Sequence, residues 1–441
     1  MSQPNILIVM FDQLRPFEME CYGGPVPTPN CNRLAREGRR YVCGVSNNPV
    51  CLPARNILLS GQHSRTCGFG LGNEHGPEPY WLSGPRTALP CPTLPEALTG
   101  YRTAIFGKWH TYYDPIAMGF AEADYWCTPH RYKNQLHIRN REAPRLVTGS
   151  EPGHMTANFE RYISSGEGPF FAWLNPGSPH MPLWETMPEA FRTRYGPEDI
   201  TLRGNVPQPL PYDPFWFKTY RVERYILHRA EDPEFREEDF PLPEGFDLRS
   251  LTALYWGAVA YCDWILGNIL AVLDRTGHRE DTLVILTSDH GDNLGSHGLF
   301  NKEHLTEESI RVPFLMRWPG QIAPGEVEGN RMAQLVDVLP TVLAAAGLPI
   351  PSYAQGVSLF APEQPAAFID TPTGEVGIRT ADYLYGYRNG DGKRWLFDLG
   401  HDPLELHNLA GTHAAASVEE SLRERLARWE AATPQLCNLH K

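Results

Sequence analysis

The sequence predicts an α/β protein built on a large, mainly parallel, doubly wound sheet, with a smaller α+β part at its C-terminal end. Three observations carry this expectation. Asn5–Phe11 (NILIVMF), Phe170–Leu174 (FFAWL) and Leu283–Leu286 (LVIL) are short apolar runs without period-2 alternation, the pattern of strands covered on both faces. Helix-like stretches lie between them: Asn30–Gly38, with Gly38 placed to end it, then Thr93–Leu98 and Leu248–Arg275. Strand and helix alternating along one chain is how a doubly wound sheet is made.

Size and composition agree. At ~150 residues per domain, 441 residues make about three domains, or one large domain with an appendage. Apolar residues are 41% and charged residues 21%, enough for a sizeable core and against wholesale disorder. The net charge of −13 excludes a broad nucleic-acid-binding surface. It leaves open capture of an anionic substrate by a few buried cations. The apolar stretch Leu254–Leu273 is interrupted by Asp263 and Asn268, so it reads as a buried helix and not a membrane span. The start, MSQPNILIVMFDQ, has neither a basic region nor a small-residue cleavage site, which predicts no signal peptide and a cytoplasmic protein. Nine cysteines with no C-x-x-C pair argue against a disulfide framework or a cysteine-based zinc site.

Each element can be taken in order. The first run ends at Asp12, followed by Gln13. Cys51 lies in NNPVCLPARNILLSGQ, where Pro49 and Pro53 suggest a loop entering a helix near Ala54. A cysteine at such a helix start, beside Arg55, would be acidified; it reads either as a thiol nucleophile or as a buried thiol. Thr103–Phe106 is strand-like and leads to Gly107, Lys108, Trp109 and His110. His180 follows the FFAWL run, and Asp289 and His290 follow LVIL. Residues 197–246 carry eight prolines and an acidic cluster at Glu231–Asp239, so this part reads as a surface excursion, either a substrate wall or a plain insertion. Past Gly347, Gly377–Tyr387 and Trp395–Asp398 predict short antiparallel strands around the Asn389-Gly390 turn, and Ser417–Ala432 a closing helix. This divides the chain into a catalytic part, 1–350, and a C-terminal subdomain, 351–441.

Ligands of open α/β sheets bind beyond the carboxyl ends of the strands. Asp12 and the Asp289-His290 pair stand at two such ends and either converge on one cation or serve as helix caps and turn residues. Lys108, Lys302, His110 and His180 add cations and imidazoles near other strand ends. A metal, cations for non-bridging oxygens and imidazoles for protons make an anion-transfer site.

At this point the chain resembles the formylglycine-dependent (type I) sulfatases of the alkaline phosphatase superfamily. CLPAR at 51–55 is similar to their C-x-P-x-R signature. PNILIVMFDQ at the start, TPN at 28–30, GKWH at 107–110, PHMP at 179–182, SDHGD at 288–292, Lys302, EESIRVP at 307–313, DVLPT at 337–341 and DPLELHNL at 402–409 follow in the family's order. The resemblance implies an alkaline phosphatase-like sheet and a sulfuric ester hydrolase. It implies that Asp12, Gln13, Asp289 and His290 ligate a divalent cation, calcium foremost, with Mn2+ or Mg2+ as alternatives. Cys51 would be converted to formylglycine by a formylglycine-generating enzyme and, as the hydrate, attack sulfur with help from Arg55. Lys108 and Lys302 would hold sulfate oxygens, His180 protonate the leaving alcohol, and His110 accept the proton that lets sulfate depart. Asn73, in GLGNEHG, aligns with a substrate-binding asparagine or is a turn residue.

Two departures stand out. Gln13 replaces a common second aspartate, and His290 a common asparagine; both resemble the choline-sulfatase and phosphonate monoester hydrolase branches, and Ala54, in place of the commoner serine, resembles the choline sulfatases. Retention of Lys108 and His110 favours sulfate over phosphonate. The implied substrate is a sugar or small organic sulfate monoester, with a phosphonate monoester or phosphodiester as the alternative. Trp81, Trp126, Trp184 and Trp216, read as loop residues, could either cage a choline ammonium or stack on sugars. Specificity would lie in the loops 65–90, 112–148 and 197–246. The resemblance leaves the oligomeric state open, a homo-oligomer included, and calls for no nucleic-acid or membrane partner.

Overall fold

The computed structural model describes residues 3–67, 89, 91–111, 113–126, 133–184, 186–221, 236, 238, 241–361 and 365–433. Its strands are β1 (Asn5–Phe11), β2 (Arg39–Val45), β3 (Arg102–Lys108), β4 (Glu122–Trp126), β5 (Lys133–Arg139), β6 (Arg145–Ser150), β7 (Phe170–Asn175), β8 (Thr282–Ser288), β9 (Arg311–Val312), β10 (Leu315–Arg317), β11 (Glu326–Gln334), β12 (Ala366–Asp370), β13 (Glu375–Thr380), β14 (Tyr383–Arg388) and β15 (Arg394–Asp398). An 11-stranded sheet runs β11-β2-β10-β8-β1-β7-β3-β4-β5-β6, with β9 paired to β2. From β8 to β4 all pairings are parallel; antiparallel strands flank this centre, β10 on one side and β5–β6 on the other.

Every residue of β1 is buried, and its alternate side chains enter two different cores. Leu7, Val9 and Phe11 meet the helices Pro29–Glu37, Glu151–Ser164 and Leu248–Thr276; Ile6, Ile8 and Met10 meet Cys51–Ser60 and Val338–Ala345. Covering on both faces explains the unbroken apolar runs. The apolar helix Leu248–Thr276 has the length and composition of a membrane span, but 78% of its most apolar window is buried in the core. Asp263, which interrupts its apolar run, accepts hydrogen bonds from the backbone N–H groups of Asn30 and Cys31, fastening the helix Pro29–Glu37 to it.

A separate four-stranded antiparallel sheet, β12-β13-β14-β15, follows. Ala367, Ile369, Leu384 and Phe397 pack from it against Cys43, Val45 and Met332 of the large sheet. The helix Ala416–Ala432 covers its other face through Leu422, Leu426 and Trp429. The turn expected at Asn389-Gly390 joins β14 to β15. The helix after Pro49 begins at Cys51, earlier than Ala54: Pro53 sits in the first turn, where a backbone N–H has no helical acceptor in any case. Part of the Pro-rich excursion is helical, at Pro214–Arg221.

Candidate active site

The register of the central strands brings the candidate residues together. Phe11 of β1 pairs with Ser288 of β8, so Asp12 and Asp289 emerge side by side. Lys108 is the last residue of β3, and His180 lies beyond the end of β7. Cys51 opens the helix Cys51–Ser60, and Arg55 is its second-turn partner on the same face. All of these except the half-buried His180 are buried.

Cys51 Sγ is the centre. Lys302 Nζ lies 2.8 Å from it, His290 Nε2 3.1 Å, Asp12 Oδ1 3.5 Å and Lys108 Nζ 3.7 Å. Arg55 Nη2 bridges the two carboxylates, 3.2 Å from Asp12 Oδ2 and 2.8 Å from Asp289 Oδ2, and Lys108 Nζ also bonds Asp12. Burial works against the charge of Asp12, but Lys108, His180, Arg55 and His290 outweigh it and hold the carboxyl well below the usual range. His180 Nε2 is 3.5 Å from Lys302 Nζ, and its Nδ1 pairs with the Met181 carbonyl at 2.6 Å. His110 is buried; desolvation, Lys108, Arg55 and Lys302 push its pKa far down, which favours the neutral imidazole.

The donors fit a divalent cation. Ligand atoms of Asp12, Cys51, Asp289 and His290 lie within 4.8 Å of one another. His290 Nδ1 pairs with the Gly291 carbonyl at 2.8 Å, which leaves Nε2 for the cluster, and burial with Lys302 lowers the ring to about 4, the neutral ligand form. Gln13 is held at φ 69°. Its Nε2 donates to Asp292 Oδ2 at 2.7 Å and Asn301 Oδ1 at 3.1 Å. Its buried Oε1 has no hydrogen-bond partner among the described residues, as a cation ligand would.

One expectation fails here. Cys51 is not acidified: burial pushes its thiol up, and Asp12 and Asp289 add to this against Lys108 and Lys302. The helix start and Arg55 do not prevail because burial of the thiol is the larger effect, and Arg55 is engaged with the two carboxylates. Trp126 and Trp216 differ from loop residues, whereas Trp184 lies in the loop between β7 and the helix Glu189–Arg192. Trp126 ends β4 and is buried, with Nε1 bonded to Glu151. Trp184 lies between the guanidinium groups of Arg192 and Arg221, at 4.6 and 4.8 Å. Trp216 is helical and lines a cavity of about 400 Å³ with Tyr212, Asp213, Lys302 and His304. Asn73 and Trp81 lie outside the described residues.

Sequence reasoning missed the residues behind Gln13. Asp292, buried and raised to about 6 by burial, accepts from Gln13 and from Tyr220 Oη at 2.6 Å. Tyr220 Oη in turn accepts from the Asn301 N–H. Asp292 was in view inside SDHGD, and Asn301 directly precedes Lys302. Tyr220 is on the proline-rich excursion and carries no local signal.

Three positive side chains facing two carboxylates, with room for a cation, suit hydrolysis of an ester of a tetrahedral oxyanion. The chain belongs to the sulfatase family: the family description Sulfatase matches residues 4–348. It is 27% identical to an ulvan-active sulfatase of Formosa agariphila, over 96% of this chain and 80% of that one. Two solved structures share the fold. One protein, in complex with its substrate D-glucosamine-2-N,6-O-disulfate, superposes with a TM-score of 0.79 at 22% identity, covering 98% of each chain. The phosphonate monoester hydrolase of Agrobacterium radiobacter gives 0.72 at 22% identity, covering 98% of this chain and 96% of that one. The protein is thus a sulfuric ester hydrolase.

Proposed function

We propose that this enzyme hydrolyses sulfate monoesters of sugars or small organic alcohols with Cys51, matured to formylglycine, as its nucleophile. The observation that carries this reading is the convergence of Lys302, His290, Asp12 and Lys108 on Cys51 Sγ within 3.7 Å. A divalent cation held by Asp12, Gln13, Asp289 and His290, calcium foremost, would supply Lewis-acid stabilisation of developing oxyanion charge. Formylglycine would supply, as its hydrate, one hydroxyl for attack at sulfur and a second that permits sulfate to leave by elimination.

The chain's own residues do the rest. Lys108 and Lys302 flank the nucleophile and hold non-bridging sulfate oxygens. Arg55 holds both carboxylates in line. His180 Nε2, beside Lys302, gives a proton to the ester oxygen as its bond to sulfur breaks. Neutral His110 takes the proton released when sulfate departs. The cavity at Trp216 receives the alcohol portion, where an aromatic face suits a sugar ring. We also read 1–350 as the catalytic unit and 351–441 as a supporting one, and maturation by a formylglycine-generating enzyme as a requirement. Gln13 and His290 favour a second reading, a phosphonate monoester or phosphodiester hydrolase. Relative kcat/KM for 4-nitrophenyl sulfate and bis(4-nitrophenyl) phosphate decides: the sulfate should be preferred, and a large preference for the diester would replace the first reading with the second.

A further inference from the structure

A cluster away from Cys51 holds the donor set of another metal site. Asp124 is on β4 and His137 on the adjoining antiparallel β5; Asp124 pairs with Arg139, so His137, two residues away, shares its face of the sheet. His154 comes from the first turns of the helix Glu151–Ser164. His137 Nδ1 lies 2.7 Å from Asp124 Oδ1, and His154 Nε2 lies 3.3 Å from the same oxygen. The second spacing matches the roughly 3.3 Å between donors around a tetrahedral ion with ~2.0 Å bonds; the first is of hydrogen-bond length and would open by about half an ångström on binding. Asn158, one turn beyond His154, has its amide 2.8 Å from His154 Nε2; turning that amide over would present Oδ1 as a fourth donor.

The surroundings are those of a ligand set. Asp124 and His137 are buried, and His154 is 22% exposed. Arg145 Nη2 holds Asp124 Oδ2 at 2.6 Å, an outer partner of the kind a ligating carboxylate keeps, and leaves Oδ1 to the two rings. Burial lowers His137 below the ordinary imidazole range, toward the neutral ligand state. The ring nitrogen that faces Asp124 is Nδ1; the buried Nε2, on the far side of the ring, has no partner among the described residues and is not part of the donor set.

We propose that Asp124, His137, His154 and Asn158 bind a first-row divalent transition ion, zinc by preference, at a structural site separate from the catalytic cation. Mixed imidazole and oxygen donors select zinc and its neighbours over calcium, which takes oxygens. The ion would fasten the β5–β6 hairpin and the helix Glu151–Ser164 to β4, whose Trp126 pairs with Lys108.

The test uses the full-length chain, stripped with a chelator, loaded with Zn2+, desalted and assayed for zinc per chain by mass spectrometry. Wild type is compared with Asp289→Asn, altered in the catalytic cluster, and with His154→Ala and His137→Gln. Asp289→Asn should retain about one equivalent, and each histidine variant should lose about one while keeping its circular dichroism. The rise in thermal midpoint on adding Zn2+ should persist in Asp289→Asn and be smaller in the histidine variants than in wild type. Should one histidine variant fail to fold, the other is read alone; should both fail, zinc content and midpoint shift of Asp289→Asn decide. Zinc content equal in the histidine variants and wild type, or no zinc on Asp289→Asn, would overturn the proposal.

Discussion

Lys302 Nζ stands 2.8 Å from Cys51 Sγ and 3.5 Å from His180 Nε2, so one ammonium joins the nucleophile's position to the proposed proton donor. A general acid matters most when the leaving alcohol is a poor one. His180→Ala should cut kcat/KM by about 10²–10⁴-fold on an alkyl or sugar sulfate, and far less on 4-nitrophenyl sulfate, whose phenolate departs unaided. Equal losses on both substrates would remove His180 from that role. At this scale much of the candidate site was legible. Asp12 follows a continuous apolar run, and Asp289 follows another after Thr287 and Ser288; alone these positions read equally as caps or turns, and the resemblance to the sulfatases singled them out. The support of Gln13 by Asp292, Asn301 and Tyr220 was not legible, because it exists only once segments far apart in sequence meet.

Among the elements, the junction between the two sheets rests on charge as well as apolar packing. Glu307, on the short helix Glu307–Ile310, takes Arg379 of β13 in a two-pronged pair at 3.1 and 3.2 Å and Arg311 at 2.8 Å. Burial opposes the charge of Glu307, yet Arg379 and Arg311 lower its pKa to about 2. Removing one partner of a buried pair typically costs 3–5 kcal/mol; with Arg311 still present, Arg379→Ala should cost about 3 kcal/mol. Denaturant unfolding would show it as an earlier midpoint, with kcat at 25 °C nearly unchanged. An unshifted midpoint would mean that the apolar contacts alone hold the junction. The strands divide the same way by visibility. β1, β7 and β8 are buried on both faces and read directly from their apolar runs. β2 begins Arg39-Arg40, β5 reads KNQLHIR and β11 reads EVEGNRMAQ. These flanking strands mix polar and apolar residues and lack a long apolar run, so pairing rather than hydrophobic pattern defines them, and none was expected. The Cys51 helix was found but misplaced, since Pro53 reads equally well before a helix and within its first turn.

For the molecule as a whole, the catalytic cluster ties β1, β8, β3 and the Cys51 helix to one point, so its cation should support the fold as well as the chemistry. Binding to the folded state alone adds about 2.7 kcal/mol at a hundredfold excess over Kd. Chelation should therefore abolish turnover and lower the thermal midpoint together, and the ion that restores both at the lowest concentration identifies the metal. Loss of neither would contradict a bound catalytic cation. The central claim is that Cys51 acts as formylglycine. The most direct measurement is the mass of the peptide containing Cys51, taken on a sample whose 4-nitrophenyl sulfate turnover is known, beside a Cys51→Ser variant. The account predicts a mass about 18 Da below the thiol peptide, the loss that thiol-to-aldehyde conversion entails, and no turnover in the variant. An unmodified thiol in an active sample, or undiminished turnover in Cys51→Ser, would contradict it.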